Sequence, residues 1–240
     1  MRIVADAAAM PAHAESGDHV RLSATSNVME LFIYEHCPFC CRALMIVGLK
    51  QLDVDIGIIM EGDVETPTRM VGRKVVPILR RPDGSHMPES MDIVHYLDQS
   101  AAPALVQRGG DDAIDAWVER AWPLMLRLCV PRFTRADFRE LATPAARKAF
   151  VARETRAFGD LQALLDDSDT LLAALRPLLD ELEPLLATRG EATDESDFRL
   201  FPLLRSLTIV KGIGFGANGR RYLDAISARC RVALFDDKAA

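Results

Sequence analysis

The sequence predicts an α/β domain over residues 29–100, a linker over residues 101–112 and an all-α domain over residues 113–236. In the first part, short runs of β-branched and aromatic residues alternate with helical stretches, the pattern of an α/β domain. Beyond the linker, apolar residues recur at helical spacing and no convincing strand is present. The linker contains the pair Gly109-Gly110, a composition typical of domain boundaries.

The first domain is predicted to have the element order β-α-β-α-β-β-α. Residues 31–34 form an apolar run of β-favouring types and predict a buried strand. A helix is predicted to begin at Pro38, because the N–H that proline lacks has no partner at the first helical position. The alternation of apolar and polar residues over 54–58 predicts a second strand.

Three further signals complete this domain. The pair Thr66-Pro67 predicts the cap and first turn of a short helix. Residues 75–79 predict a third strand, and a turn leads from it into a fourth strand at about 85–87. Ser90 is predicted to cap the last helix of the domain.

Caps and prolines mark the helices of the second domain. Asp111-Asp112 predicts the start of a helix that Pro131 ends, and Thr143-Pro144 predicts the start of a helix to about residue 165. Ser168 predicts the start of a further helix, and Pro177 and Pro184 are each predicted to begin, kink or end a helical piece. The capping pair Asp194 and Asp197 precedes the next helix, and a last helix is predicted at about residues 220–230.

Composition excludes several classes of protein. With 29 basic and 35 acidic residues, the formal charge of −6 provides no basic excess for binding nucleic acid. No run of about 18 uncharged apolar residues is present, so no membrane-spanning helix is predicted. Five cysteines cannot all pair, which favours a reducing compartment, the cytoplasm, over a secretory disulfide framework. Residues 1–28 have no sustained period and no continuous apolar segment, and are predicted to be a disordered extension.

The chemistry concentrates at Cys37-Pro38-Phe39-Cys40, between a predicted strand and a predicted helix. This position places Cys37 at the helix N-cap and Cys40 one turn inside the helix. Unpaired N–H groups and the helix dipole stabilise a thiolate there, and such sites lower a thiol pKa from about 8.5 to between roughly 3.5 and 7.5. Because a thiol of low pKa is a good leaving group, the motif favours a catalyst that forms and releases mixed disulfides.

The alternative for a CxxC motif is half of a zinc site. Tetrahedral zinc needs two more ligands, and the sequence has no second CxxC and no HxxxH, so no metal site is predicted. Cys129 and Cys230 are lone residues on helical faces and are predicted to be buried and inert. Cys41 points about 100° around the helix from Cys40 and is interpreted as a bystander.

Two other features fit a thiol site. Val76-Pro77 stands at the start of a predicted strand, where a proline removes a donor and suggests a special turn, although an ordinary edge-strand proline is the alternative. Glu89-Ser90 opens a helix whose N–H groups can bind a carboxylate while Glu89 holds an ammonium group. The alternative for this pair is a plain helix cap.

The chain resembles the type-2 glutaredoxins, bacterial proteins built like glutathione S-transferases. The resemblance extends from Met29 to about Phe235 and rests on the motifs CPFC, TPTRMVG, VVPIL, MPESMDIVHYLD, TPAARKAF and LFPLLRSL. It implies a thioredoxin-like N-terminal domain and a glutathione S-transferase-like helical C-terminal domain. Phe39 occupies a position where Tyr is common in such motifs, and residues 1–28 and Cys41 depart from the family pattern.

The resemblance also implies a reaction. Cys37 is expected to attack the glutathione sulfur of a protein–glutathione mixed disulfide, after which a second glutathione releases oxidised glutathione. Cys40 is expected to resolve the intermediate when the substrate is a protein disulfide. Glutathione is then the reducing co-substrate, glutathionylated proteins are the partners, no tightly bound cofactor is needed, and the protein is expected to act as a monomer.

The glutathione contacts follow from the same resemblance. A cis peptide before Pro77 is expected to let backbone groups of Val76 pair with the cysteinyl part of glutathione. Glu89 and Ser90 are expected to hold the γ-glutamyl end. The glycyl carboxylate needs a basic residue, for which Arg69 and Lys74 are the two candidates.

Two other functions remain open at this stage. A glutathione S-transferase would conjugate glutathione to an electrophile, but such enzymes usually place Ser, Tyr or a single Cys where this chain has Cys37. A non-catalytic glutathione-sensing module would use the same scaffold and keep its function after Cys37→Ser.

Overall fold

The computed structural model describes residues 28–190 and 192–240. Residues 1–27 of the predicted extension lie outside the described residues. The elements of the N-terminal domain are β1 (Met29–Ile33), α1 (Pro38–Leu49), β2 (Val54–Ile58), α2 (Glu65–Val71), β3 (Ile78–Arg80), β4 (His86–Met87) and α3 (Ser90–Gln99). Their order is the predicted β-α-β-α-β-β-α.

The four strands form one mixed sheet in the order β2-β1-β3-β4. β1 pairs in parallel with β2 and antiparallel with β3, so that Leu31 lies between Ile56 and Leu79. β4 continues the sheet antiparallel to β3. Because β1 is hydrogen-bonded on both sides, the chain leaves the sheet at a fixed position before it enters α1.

Several predicted boundaries in this domain were wrong by one to three residues, and two of the differences have a clear cause. α2 begins at Glu65 rather than after a Thr66 cap, because the Asp63 carboxylate already accepts a hydrogen bond from the Thr66 N–H at 2.9 Å. β3 begins at Ile78, three residues later than predicted, because Pro77 has no N–H to donate to β1.

The elements of the C-terminal domain are mostly helical: α4 (Asp112–Phe133), α5 (Pro144–Phe158), α6 (Leu161–Asp166), α7 (Ser168–Ala187), α8 (Asp197–Leu207) and α9 (Ala217–Cys230), with 3-10 helices at Arg139–Leu141 and Asp236–Lys238. The predicted pair at the start of α8 is reciprocal: Asp194 accepts from the Asp197 N–H at 3.2 Å, and Asp197 accepts from the Asp194 N–H at 3.1 Å. Among the described helices, none is long and apolar enough to cross a membrane.

One proline does not end its helix as predicted. Pro131 lies inside α4 and does not end it, and Pro177 and Pro184 lie inside α7. Each proline removes one helical hydrogen bond, but the buried faces of these helices pack well enough to outweigh that loss. The sequence analysis did not predict that α5 ends at Gly159. The helix predicted to run to about residue 165 is therefore two helices, α5 and α6.

A short ladder was also missed. β5 (Val106–Gln107) and β6 (Thr193–Asp194) pair in parallel over two residues each, which is too short to produce a period in the sequence. β5 falls in the predicted linker and β6 in the predicted helical domain. The predicted succession of an α/β domain and a helical domain is confirmed, with this ladder as an addition.

The two domains share one core through α1. This helix packs against α3 in its own domain and against α8 and α9 in the helical domain, and its Met45 belongs to the same hydrophobic cluster as Phe201. At Gly48 the helices approach so closely that a Cβ atom would lie 1.6 Å from the carbonyl oxygen of Cys230. The helix that follows Cys37 is therefore fixed by both domains.

Candidate active site

Cys37 and Cys40 lie in the first turn of α1, directly after β1. Cys37 is the N-cap residue, as predicted, and its Sγ accepts a hydrogen bond from the Cys40 N–H at 3.4 Å. Pro38 occupies the first helical position. Cys37 is half-buried, whereas Cys40 is completely buried and its Sγ accepts a hydrogen bond from the Tyr34 N–H at 3.4 Å.

The surroundings move the pKa values of the two thiols in opposite directions. A hydrogen bond from the Cys40 thiol lowers the pKa of Cys37 to about 7, against the effect of burial, and the charge of His36 and the N–H groups of Cys40 and Phe39 add to this. Burial, followed by the interactions with Cys37, raises the pKa of Cys40 well above its ordinary value. Cys37 is therefore the more readily ionised of the two thiols at neutral pH, and Cys40 remains protonated.

We expect iodoacetamide to modify only Cys37 in the folded protein, at a rate that rises with pH through a midpoint near 7. The thiolate is the reactive form, and a thiol of this pKa is about half ionised at pH 7, compared with about 3% for an ordinary pKa of about 8.5. Mass spectrometry of protein alkylated between about pH 5 and pH 9 measures the midpoint. A midpoint near the ordinary thiol value, or labelling at another cysteine, would contradict the assignment.

The other cysteines do not take part in this pair. Cys41, Cys129 and Cys230 are buried, and burial raises the pKa of each thiol, that of Cys41 to about 11. The Cys129 thiol donates a hydrogen bond to the carbonyl of Ser206 at 3.2 Å. Across residues 28–190 and 192–240, no group of three or more His, Cys, Asp or Glu side chains is arranged to hold a metal ion.

A cavity of about 390 Å³ lies beside Cys37, between the N-terminal domain and helices α4 and α5. Phe39 lies at the edge of this cavity. Its side chain is 42% exposed and packs against Trp122, with ring centroids 5.6 Å apart. The cavity walls are mainly aromatic and aliphatic, with a few charged side chains, and include Tyr34, His36, Lys74, Val76, Leu126, Val130, Phe133, Phe150, Arg153 and Glu154. A larger cavity of about 690 Å³ lies behind α1 and does not include Cys37.

The loop before β3 borders this cavity. The peptide bond between Val76 and Pro77 is cis, and Val76 lines the cavity together with Cys37. Sheet pairing begins only at Ile78, and no hydrogen bond within the described residues uses the backbone groups of Val76. These groups are therefore free to pair with a ligand beside the thiol.

At the start of α3, the roles of Glu89 and Ser90 differ from the prediction. Ser90 is the first helical residue rather than the cap; Glu89 holds the N-cap position, with φ at 72°, and no side chain caps the helix. The Glu89 carboxylate forms an exposed ion pair with Arg73. The open N–H groups of this turn, next to the Ser90 hydroxyl, suit a carboxylate ligand.

Arg42, which sequence reasoning did not single out, lies beside Ser90. One guanidinium nitrogen donates to the Ser90 Oγ at 3.4 Å, and the group lies 4.8 Å from the centroid of the Phe39 ring. The Arg42 Nε is buried without a hydrogen-bond partner, and no described carboxylate forms an ion pair with this side chain. A partly buried cation without a counter-ion stands next to a helix N-terminus.

The two basic candidates lie in different surroundings. Lys74 lines the cavity beside Cys37 and forms an ion pair with the buried Glu61 at 3.2 Å. Arg69 is exposed and pairs with Glu65 one turn earlier on α2. The geometry thus brings Lys74, and not Arg69, to the cavity.

His36 and Glu140, which sequence reasoning also did not single out, connect the two domains next to Cys37. The buried Glu140, in the 3-10 helix of the C-terminal domain, accepts hydrogen bonds from the ring and the backbone of His36. His36 could have been found because an ionisable residue directly precedes the CxxC motif. Glu140 could not have been found from the sequence, because 104 positions separate it from His36 and no motif surrounds it.

Two thiols lie at the start of the first helix of a thioredoxin-like domain. A cis-proline loop lies opposite them, and a helical domain packs behind that helix. This arrangement defines a thiol–disulfide oxidoreductase built like a glutathione S-transferase. Residues 31–105 match the family model of the glutathione S-transferase N-terminal domain, and residues 113–239 match that of the glutaredoxin 2 C-terminal domain. The chain belongs to the glutaredoxin 2 family of glutathione-dependent oxidoreductases, as the resemblance implied.

Individual relatives agree with this membership. Glutaredoxin 2 of Escherichia coli (strain K12) is 41% identical over 215 residues, which cover 88% of this chain and 100% of the relative. The crystal structure of glutaredoxin 2 from Salmonella typhimurium, solved in complex with glutathione, superposes with a TM-score of 0.86 at 37% identity and covers 90% of this chain and 100% of that one. Glutathione transferase GSTFuA3 from Phanerochaete chrysosporium shares the fold, with a TM-score of 0.66 at 16% identity over 84% of this chain and 97% of that one. The predicted fold class is confirmed.

Proposed function

We propose that the protein reduces protein–glutathione mixed disulfides, with Cys37 as the nucleophile. The observation that carries the proposal is the half-buried Cys37 sulfur at a helix N-terminus, beside a cavity that also includes Val76. The Cys37 thiolate attacks the glutathione sulfur; a Cys37–glutathione disulfide forms, and the substrate protein leaves as a thiolate that takes up a proton. A second glutathione thiolate then attacks the glutathione sulfur, oxidised glutathione leaves, and the Cys37 thiolate is restored.

Cys40 has a separate role in this proposal. When the substrate is a protein disulfide, the Cys37 thiolate attacks one of its sulfurs, a mixed disulfide with the substrate forms, and the other substrate sulfur leaves as a thiolate. Cys40 then loses its proton and attacks the Cys37 sulfur, so that a Cys37–Cys40 disulfide forms and the second substrate thiolate leaves and takes up the proton. Two glutathione molecules reduce this internal disulfide and leave as oxidised glutathione. The raised pKa of Cys40, caused by burial, keeps it protonated and out of the first step. Deglutathionylation therefore does not require Cys40, whereas reduction of protein disulfides uses it.

We assign the γ-glutamyl end of glutathione to the start of α3. Its carboxylate would meet the Ser90 hydroxyl, the open N–H groups of the helix and the Arg42 guanidinium, while Glu89 faces the ammonium group. The backbone of Val76 pairs with the cysteinyl part and directs its sulfur toward Cys37. The absence of a carboxylate partner for Arg42 among the described residues supports this assignment.

For the glycyl carboxylate we choose Lys74 over Arg69. Lys74 lines the cavity that includes Cys37, and its ion pair with Glu61 holds its ammonium group at that wall. Arg69 lies on the exposed face of α2 and is paired there with Glu65.

We expect Ser90→Ala and Arg42→Met each to raise the KM for glutathione roughly ten- to hundredfold, because each loses a hydrogen bond to a charged group, worth about 1.5–3 kcal/mol. For Ser90→Ala, we expect the rate of Cys37 alkylation by iodoacetamide to stay within about twofold of wild type. Arg69→Met is the matched control and should leave the KM unchanged. Steady-state assays with glutathione reductase and NADPH measure these values; a KM for Ser90→Ala equal to that of Arg69→Met would contradict the assignment.

The transferase function is the second candidate, and the aromatic cavity beside Cys37 is the observation that favours it. An aromatic electrophile would fit such a cavity. The thiol pair argues against it, because a Cys37 thiolate competes with glutathione for the electrophile. Incubation with a chlorinated dinitrobenzene tests it: glutathione conjugation at a rate comparable to disulfide turnover would favour the transferase, whereas alkylation of Cys37 alone would favour the oxidoreductase.

The partners and compartment follow from the same chemistry. We propose glutathionylated proteins as substrates, glutathione as a dissociable co-substrate, and action as a monomer. The five free cysteines among the described residues, one with a pKa of about 7, suit a reducing compartment such as the cytoplasm. Size-exclusion chromatography with light scattering checks the monomer.

A further inference from the structure

A buried carboxylate of the helical domain contacts the residue that precedes the reactive thiol. Glu140 is 0% exposed, and its Oε1 accepts hydrogen bonds from the His36 backbone N–H at 3.1 Å and from the His36 ring Nδ1 at 2.6 Å. We propose that Glu140 is a positioning residue for the thiol–disulfide reaction: it acts through His36, by fixing the imidazole and the positive charge that the ring carries when protonated beside Cys37. The inference rests on the proposed function, in which Cys37 is the nucleophile.

The surroundings leave the His36 ring little freedom. Tyr34 stacks on it with ring centroids 5.8 Å apart, and Phe133, Phe138 and Phe150 pack around it at 5.2, 5.7 and 4.9 Å. Three of these four rings belong to the C-terminal domain. In such an apolar enclosure, electrostatic interactions are stronger than in water, so the position of a single charge matters for the neighbouring thiol.

The direction of the hydrogen bond follows from the charge of Glu140. Burial alone would raise the pKa of Glu140, but the hydrogen bonds and charge of His36, with the Glu35 backbone, hold it below its ordinary value. An ionised carboxylate only accepts hydrogen bonds, so the proton lies on the His36 Nδ1. Glu140 thus holds the imidazole in one orientation through its Nδ1–H, and the His36 charge is one of the causes that lower the pKa of Cys37.

Apart from the Cys37 thiolate, the titratable groups near His36 are neutral or paired. They are Cys40 on α1, Tyr34 and Glu35 before it, Lys74 across the cavity, Arg139 and Glu140 in the 3-10 helix, and Arg153 and Glu154 on α5. Lys74 pairs with Glu61, and Glu154 pairs with Arg153. Burial raises the pKa of the Tyr34 hydroxyl, so it stays neutral. Glu35 pairs with Arg139 at 2.6 Å, and Arg153 pairs with Glu61 at 2.7 Å. Among the described residues, Glu140 is the carboxylate bonded to the ring.

The variant Glu140→Gln distinguishes direct action of Glu140 on Cys37 from action through His36, because the two shift the pH midpoint of Cys37 alkylation in opposite directions. Glutamine keeps the size and an accepting oxygen but removes the charge. If Glu140 acted directly on Cys37, loss of a nearby negative charge would favour the thiolate and move the alkylation midpoint to lower pH. If it acts through His36, the ring is no longer held by an anionic partner, its charge is no longer fixed beside the thiolate, and the midpoint moves to higher pH.

We expect the Glu140→Gln midpoint to rise, and the alkylation rate at pH 7 to fall roughly three- to tenfold. In a His36→Asn background, where the amide can still donate to residue 140 but carries no ring charge, Glu140→Gln should cause no further upward shift. Asp98→Asn is the matched control: Asp98 is another buried carboxylate, bound to Lys50 and two backbone N–H groups, and its loss should lower thermal stability without moving the midpoint.

Each outcome decides the proposal. An unchanged or lowered midpoint in Glu140→Gln overturns it, as does an equal shift in the His36→Asn background. If Glu140→Gln does not fold, His36→Asn alone takes its place, and an upward shift is again required. Turnover of a glutathionylated peptide by the wild type is measured in parallel. Its absence would refute the proposed function, whereas intact turnover with an unmoved midpoint would refute only the role of Glu140.

Discussion

Cys37→Ser is expected to lower turnover of a glutathionylated peptide by about a thousandfold or more, equivalent to at least about 4 kcal/mol of transition-state stabilisation. A serine hydroxyl is not ionised at neutral pH and cannot form the disulfide intermediate with glutathione. The conditions are those of the coupled assay with glutathione, glutathione reductase and NADPH. The size of the effect reflects that the protein supplies one nucleophile in the proposed reaction, and that Cys37, among the five described cysteines, combines a lowered pKa with access to the cavity.

Two further variants, measured in the same assays, distinguish deglutathionylation from reduction of protein disulfides. Cys40→Ser should keep a substantial part of the deglutathionylation rate and lose reduction of protein disulfides, because only the second reaction needs an internal disulfide. Cys41→Ser is the matched control for a neighbouring buried thiol and should behave like the wild type in both assays. If Cys37→Ser retained its turnover, the oxidoreductase mechanism through this residue would be wrong, and the glutathione S-transferase function would take its place.

The sequence predicted the parts of the site that depend on local structure. A CxxC motif between a strand and a helix places one sulfur at the N-cap wherever the fold puts that helix, and Cys37 lies there. The pair Asp194 and Asp197 is likewise a local device, since each side chain bonds a backbone N–H three residues away. Such features follow from backbone geometry within a single turn.

The parts that were missed depend on tertiary packing. Glu140 reaches His36 only because the two domains close over α1, and no local pattern encodes that contact. Pro131 stays inside α4 because burial of the helix outweighs a lost hydrogen bond. Ser90 was predicted as a cap from propensity alone, whereas the turn before α3 places Glu89 at that position. The contribution of the helical domain to the thiol site could therefore not be derived from the sequence.

The junction between α1 and α9 tests how far the helical domain fixes the reactive helix. Gly48 lies in α1, the helix that Cys37 caps, and a Cβ at this position would lie 1.6 Å from the Cys230 carbonyl oxygen and 2.5 Å from its carbon. Both are backbone atoms, so no side chain can rotate away to make room. Two effects of Gly48→Ala then oppose each other: helix propensity favours alanine by about 1 kcal/mol, and the overlap disfavours it.

We expect the overlap to win, and Gly48→Ala to destabilise the protein by at least about 3 kcal/mol, at the upper end of the usual range for overpacking because backbone must move. For a chain of this size, that corresponds to a fall of roughly 6–12 °C in the thermal midpoint. Gly190→Ala is the matched control, since a Cβ there meets nothing within 4 Å, and its midpoint should stay close to that of the wild type. Circular dichroism melts of both variants provide the measurement. A neutral or stabilising Gly48→Ala would mean that α1 and α9 do not close at Gly48, and that the helical domain holds the reactive helix through α8 and the 3-10 helix at Arg139–Leu141 instead.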